Sequence, residues 1–223
     1  GEKFVLVLGA PKSGVEQLGA MLGQFEGASM VGPLETLSLV CTQNLNARQG
    51  ILRPVPFEPS KLRGNQLKEA HRSYTSQLQA IAGAPDTVCI DTHPLNIPLA
   101  GAAALMLPGV HIVLCRRDPI ESALGCYCDA MPGNHPYASE LLDSAGFVAD
   151  SNRMLDHWAA TLGDDSIGAN VIEVQYSELA ADPVKTAARV AEAIGLDANA
   201  SVVQQVPTMV HGPSTHAQDY RNF

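Results

Sequence analysis

Basic residues are scarce in this chain: 14 Lys and Arg stand against 23 Asp and Glu, a formal net charge of −9. That balance lacks the broad positive footprint that holds nucleic acid or an anionic membrane surface, and leaves only a local pocket for a small anion. Cysteines are few, odd in number and scattered (Cys41, Cys89, Cys115, Cys126 and Cys128), so no disulfide framework is expected and a reducing, cytoplasmic setting fits best. Cys89 and Cys115 lie inside apolar runs and read as small buried hydrophobes. Cys126 and Cys128 form a C-x-C pair with no second pair nearby, so no metal site is expected. No basic stretch followed by an apolar one opens the chain, which leaves no visible signal peptide. Long hydrophobic runs are missing too. The longest, Leu99 to Cys115, is interrupted by Gly101, Pro108, Gly109 and His111 and is too short to cross a membrane. Repeats are absent, and 46% hydrophobic residues exclude a disordered or low-complexity chain.

What is present is an alternation of strand and helix patterns. Phe4-Val5-Leu6-Val7-Leu8 is a continuous apolar run, as in a strand buried on both faces of a parallel sheet. It ends in Gly9-Ala10-Pro11-Lys12-Ser13-Gly14, after which Leu18, Met21, Leu22 and Phe25 recur at helical spacing. Leu34–Asn44 reads as helical, Arg53 to Pro59 is broken by three prolines, and a polar helix is expected over Lys68–Ile81. Val88–Ile90 is the second buried strand, closing at Asp91-Thr92-His93-Pro94, and Ile97–Leu107 reads as a packed helix stopped by Pro108-Gly109. Val110–Cys115 is the third strand; Asp118 then caps a helix with Pro119 at its first position, and Ile120, Ala123, Leu124 and Tyr127 are expected on its inner face. A helix over Phe147–Leu162 carries Trp158 on its apolar side, Val171–Val174 is a fourth strand, and Asp182-Pro183 opens a last helix. That helix turns Val184, Ala187, Ala188, Ala191 and Ile194 inward and stops at Gly195. The expectation is one α/β domain over 1–223, three layers deep, with a central parallel sheet in which Phe4–Leu8 lies between the other two early strands.

In such sheets ligands bind beyond the carboxyl ends of the strands, and three polar segments fall there: 9–14, 91–96 and 116–122. Gly9 and Gly14 have the spacing of a phosphate-cradling loop, but Val15 stands where a nucleotide kinase or ATPase needs Lys, so that reading fails. Lys12 lies inside the loop instead. A helix N-terminus and loop amides bind an anion, with Lys12 supplying charge where a bridging oxygen turns negative. Arg117 can fork onto a phosphate, and a base at the end of a neighbouring strand would take an acceptor's proton.

Pro11-Lys12-Ser13-Gly14 resembles the 5′-phosphosulfate loop of the sulfotransferase family, whose usual form is Pro-Lys/Arg-Ser-Gly-Thr-Thr. Asp91-Thr92-His93-Pro94-Leu95-Asn96 is similar to the Asp-Lys-x-Pro-Leu-Asn of the bacterial tetratricopeptide-linked members, and to the Lys-Thr-His of the cytosolic ones, where the His is the base. Cys115-Arg116-Arg117-Asp118-Pro119 with Cys126-Tyr127 looks like the family's 3′-phosphate segment. His157-Trp158, Val174-x-Tyr176, Leu179 and Asp182-Pro183 extend the likeness, which runs from about Phe4 to Leu196 in family order. The resemblance implies a P-loop-like sulfotransferase fold and transfer of a sulfuryl group from 3′-phosphoadenosine 5′-phosphosulfate to a hydroxyl or amine of a small molecule or peptide, without a metal. It assigns the donor to Pro11, Lys12, Ser13, Gly14, Val15, Arg117, Gly125 and Tyr176, with Lys12 acting in catalysis. Two residues compete as base. His93 is the favoured one, because an unperturbed imidazole, with a pKa near 6.5, suits neutral pH, whereas Glu35, in Gly32-Pro33-Leu34-Glu35, matches a Gly-Glu segment of related members and needs desolvation to reach that range.

Several positions depart from the family. Val15 and Glu16 replace the Thr-Thr of the loop, Gly125 replaces a Ser eight residues after Arg117, and Thr92 replaces a Lys. A carboxylate at Glu16 about 4 Å from a phosphate would cost roughly 4 kcal/mol at an effective dielectric near 20. The degraded loop keeps a second expectation open: a sulfotransferase-like protein that has lost this donor and serves as a non-catalytic partner or acts on another substrate. The ends at Gly1 and Phe223 read as a domain cut from a longer chain. The resemblance further implies an N-terminal helical-repeat region or a homo-oligomer, and a C-terminal basic segment for which Arg221 is the one candidate.

Overall fold

The apolar runs lie side by side, joined by one short strand the sequence does not signal, as parallel strands β1 (Phe4–Gly9), β2 (Ala28–Met30), β3 (Val88–Asp91), β4 (His111–Arg116) and β5 (Asn170–Gln175), in the order β2-β3-β1-β4-β5. The computed structural model describes residues 3–45, 64–84, 86–129, 135–163 and 168–198. The proline-broken segment 53–59 and Arg221 lie outside the described residues.

Strand side chains alternate between faces, and β1 uses both. Phe4, Leu6 and Leu8 enter one core with α3 (Gly64–Ala82), α4 (Ala100–Met106) and α6 (Leu141–Leu162). Val5 and Val7 enter the other with α1 (Val15–Leu22) and α8 (Pro183–Ala193). Cys89 and Cys115 sit buried in these two cores, as expected of small hydrophobes. The result is three layers around a central sheet, with β1 between β3 and β4 as the sequence predicts.

Some expectations shift. α2 (Thr36–Val40) continues into a wider π turn, Cys41–Leu45, which runs one residue past the expected Leu34–Asn44 helix. The expected Ile97–Leu107 helix is a tight 3₁₀ turn over Pro94–Leu99 before α4 begins, because Pro94 and Pro98 cannot donate to an α-helical ladder. On α5 (Pro119–Cys128) Asp118 caps as predicted, its carboxylate accepting the Ile120 and Glu121 amides at 2.9 and 3.0 Å. Its inner face differs from the prediction. Ile120 and Tyr127 are exposed and Leu124 is half-buried, whereas Ser122, Ala123 and Cys126 turn inward. Ala123 and Cys126 pack with Ala10 and Val148 into a small core, with Tyr137 against it. On α8 Val184 is exposed and Ala188 half-buried; Thr186 and Val190 join Ala187 and Ala191 inside. Trp158 of α6 anchors the turn after β3: its indole N–H donates to the Ile97 carbonyl at 2.7 Å. The ring lies so close to Gly101 that a Cβ there would stand 2.8 Å from it.

Candidate active site

The register sets the heights of the loops. Gly9 pairs with Cys115 and Arg116 with Gln175, so β1, β4 and β5 end together, whereas β3 leaves the ladder with Asp91 opposite Leu6. Thr92 to Pro94 therefore run on beside the last residues of β1.

The loop after β1 is wound tightly. The Ser13 amide donates to the Ala10 carbonyl at 3.1 Å, and Lys12 and Gly14 both take the left-handed region, at φ 66° and 91°. Only Gly fits the second place, where a Cβ would also meet the Tyr176 ring at 2.8 Å. Ser13 is buried and its Oγ has no partner. Beyond it the first-turn amides of α1, at Val15, Glu16 and Gln17, have no carbonyl a turn earlier to bond, and the positive end of the helix faces the same way. Glu16 is exposed.

Arg117 joins the ends of β1, β4 and β5. Its Nη1 donates to the Lys12 carbonyl at 2.7 Å, its Nε bonds Glu121 Oε2 at 3.2 Å, and its guanidinium stacks 4.2 Å from the centre of the Tyr176 ring. Tyr176 opens α7 (Tyr176–Ala181) directly after β5 and presses on Gly14. Lys12, Gly14, Arg117 and Tyr176, separated in sequence, thus form one cluster. Gly125 belongs to it in an unexpected way. A Cβ there would lie 3.2 and 3.3 Å from the Lys12 Cγ and Cβ, so the bare Gly125 backbone is covered by the Lys12 stem. The Lys12 ammonium ends on Asp129 Oδ2 at 2.9 Å. Asp129 was not a candidate from sequence: it lies far along the chain from Lys12, and no local pattern marks it. Burial pushes the neighbouring Cys126 thiol up to about 11, with Lys12 pulling it partly back.

A second polar group forms at the end of β3. Asp91 is buried and accepts from the Tyr74 hydroxyl and the Asn96 amide through Oδ2, each at 3.0 Å, and from the His93 backbone amide through Oδ1 at 3.1 Å. Burial raises its carboxyl above the usual range, and the bonds from His93, Tyr74 and Asn96 pull it partly back. The His93 ring is occupied: Nδ1 accepts the Leu95 amide at 3.1 Å and caps the 3₁₀ turn, so the neutral ring carries its proton on Nε2. Thr92 is buried with no partner for its hydroxyl. The loop containing Glu35 packs on this group, since a Cβ at Gly32 would stand 2.7 Å from Asp91 Oδ1. Glu35 is exposed and makes no capping bond to α2. Among the described residues, no set of three or more His, Cys, Asp and Glu is arranged to hold a metal, and no helix is long and apolar enough to cross a membrane.

A family model described as the sulfotransferase family matches residues 5–200. No curated protein matches the chain in sequence. Solved structures share its fold. The sulfotransferase domain from the Synechococcus PCC 7002 olefin synthase is 17% identical, with a TM-score of 0.56 over 97% of this chain and 84% of that one. A sulfotransferase from Alicyclobacillus acidocaldarius is 14% identical, with a TM-score of 0.55 over 100% of this chain and 92% of that one. The sulfotransferase domain from the curacin biosynthetic pathway is 13% identical, with a TM-score of 0.52 over 95% and 81%.

Proposed function

The chain belongs to the sulfotransferase family, and from that membership we propose that it moves a sulfuryl group from 3′-phosphoadenosine 5′-phosphosulfate to a hydroxyl or amine of a small-molecule acceptor. The observation that carries this reading is the cluster after β1. A buried Ser13 hydroxyl without a partner, the N-terminal amides of α1 and Lys12 stand in one tight loop, and Arg117 is bonded to that loop's backbone. This donor set fits an anion of the phosphosulfate kind. The bound co-substrate would supply an activated sulfuryl group with a phosphate as its leaving group. Ser13 and the amides of Val15 and Glu16 would hold the 5′ end, and Pro11 fixes the approach to the loop. Lys12 would place its charge on the oxygen that separates from sulfur, and Arg117, steadied on Tyr176, would take the 3′-phosphate. Gly125 would lend its bare backbone as space for Lys12, in place of a hydroxyl.

The proton of the acceptor must leave as the new bond to sulfur forms. Of the two candidates, we assign the base to Glu35, which is exposed in the free chain and would have to be desolvated by the acceptor that covers it. His93 presents N–H at Nε2 while Nδ1 caps the turn, and base work would need the opposite tautomer. One observation favours the alternative, a protein that has lost this donor: carboxylates already bond both cations, Asp129 on Lys12 and Glu121 on Arg117.

Calorimetric titration with 3′,5′-adenosine bisphosphate, followed by a transfer assay with labelled donor, tests the reading. Lys12→Ala and Arg117→Ala are expected to abolish binding that the parent chain shows. Unchanged affinity in both variants sinks the site, and a parent chain that neither binds the bisphosphate nor transfers a sulfuryl group leaves the donor-lost alternative.

A further inference from the structure

Lys12 does not hang free over its loop; its side chain is seated on α5. The seat has two parts on one helix face, four residues apart. Gly125 removes the side chain that would obstruct the Lys12 stem, and Asp129 binds the ammonium at 2.9 Å. Asp129 is an unusual place for a carboxylate. It lies directly after the last turn of α5, where the helix presents its negative end, and its side chain is only 8% exposed. Its Oδ1 is buried without a partner. A negative charge in that position is unfavourable unless a cation neutralises it, and Lys12 is the cation bonded to it.

We propose that Asp129 is a positioning residue for Lys12. It holds the ammonium on α5 until an anion in the Gly9–Gly14 loop draws it away, so that donor and carboxylate compete for one cation. This rests on the donor reading of the loop given above. The apparent affinity for the donor is then reduced by the fraction of molecules in which Lys12 is held. The same competition accounts for Gly125: a residue with a side chain there would crowd Lys12 off its seat.

The test is calorimetry of the full chain with 3′,5′-adenosine bisphosphate. Asp129→Asn is expected to bind about tenfold more tightly than the parent chain, since the competing charge is gone. Adding Asp129→Asn to Lys12→Ala is expected to recover none of the binding that Lys12→Ala loses, because the gain passes through Lys12. Gly125→Ala, which leaves the carboxylate in place and crowds the Lys12 stem, is expected to move affinity in the same direction by a smaller factor. It also serves if Asp129→Asn does not fold. A purely structural role for Asp129 gives the opposite sign, a weaker site in a less stable protein. Equal or weaker binding in both Asp129→Asn and Gly125→Ala, or no binding in any form, overturns the proposal. A gain in affinity without sulfuryl transfer in any variant upholds Asp129 as the positioning residue and counts against the transfer reaction alone.

Discussion

At the scale of single residues, the proposed base is not the one that side-chain chemistry alone suggests. An imidazole with an ordinary pKa near 6.5 is the natural base at neutral pH. Here its Nδ1 is committed to the Leu95 amide, a bond that no residue spacing reveals. Glu35→Gln is therefore expected to lower turnover about a hundredfold while leaving 3′,5′-adenosine bisphosphate affinity within a factor of two. His93→Ala should mainly cost stability, about 1 kcal/mol for the lost cap, read as a lower denaturation midpoint. Full turnover in Glu35→Gln together with loss in His93→Ala would return the base to the imidazole. Lys12, Gly14, Arg117 and Tyr176 are each commonplace alone; the family-like order of their segments singles them out, and the fold brings them into one cluster. Asp129 was not legible. Its meaning depends on a fold that brings the end of α5 over the β1 loop, and an acidic residue just past a helix carries no mark of that.

At the scale of elements, the turn after β3 is organised around the Asp91 carboxylate. Its three donors come from α3, the turn's own backbone and the Asn96 side chain, so one buried group fixes the height of His93 and the approach of the Gly32–Glu35 loop. Asp91→Ala leaves those donors buried and unmatched, and is expected to destabilise the protein by about 2–4 kcal/mol in urea denaturation. The pH dependence has a definite sign. Burial lifts the Asp91 carboxyl above its unfolded value near 3.9, so the folded state keeps its proton longer. Its contribution is fully present below the unfolded value and declines as pH rises through the folded one. The stability gap between the parent chain and Asp91→Asn is expected to narrow as pH rises from about 4, and a gap that widens would contradict the raised carboxyl. Elements with a strong apolar signal, such as β1 and β4, were legible from their runs. β2 was not, because Ala28-Ser29-Met30 is short and only half-buried and gives no pattern to read. The inner face of α5 differs from its apolar pattern because apolar size alone does not mark burial: Ala123 and Cys126 pack beside Ala10 while Ile120 and Tyr127 lie outside.

At the scale of the whole molecule, the donor groups sit where β1, β4 and β5 end, so a ligand there ties together strands from the middle and one side of the sheet. Binding to the folded state alone should raise the melting temperature. At a hundred times its dissociation constant, 3′,5′-adenosine bisphosphate adds about 2.7 kcal/mol, or roughly 5–10 °C for a chain of this size. Thermal scans with Arg117→Ala, expected to show no shift, are the control. The parallel sheet itself was readable because strands buried on both faces leave uninterrupted apolar runs. The chain's one tryptophan gives this architecture an optical use. Trp158 is bonded to the Ile97 carbonyl and rests on Gly101, so its ultraviolet emission is expected to report the turn that carries His93 rather than the Lys12 loop. A ligand confined to that loop would leave the emission colour unchanged, whereas an acceptor that shifts the His93 turn would move it. Native fluorescence thereby separates occupancy of the two halves of the site without any label.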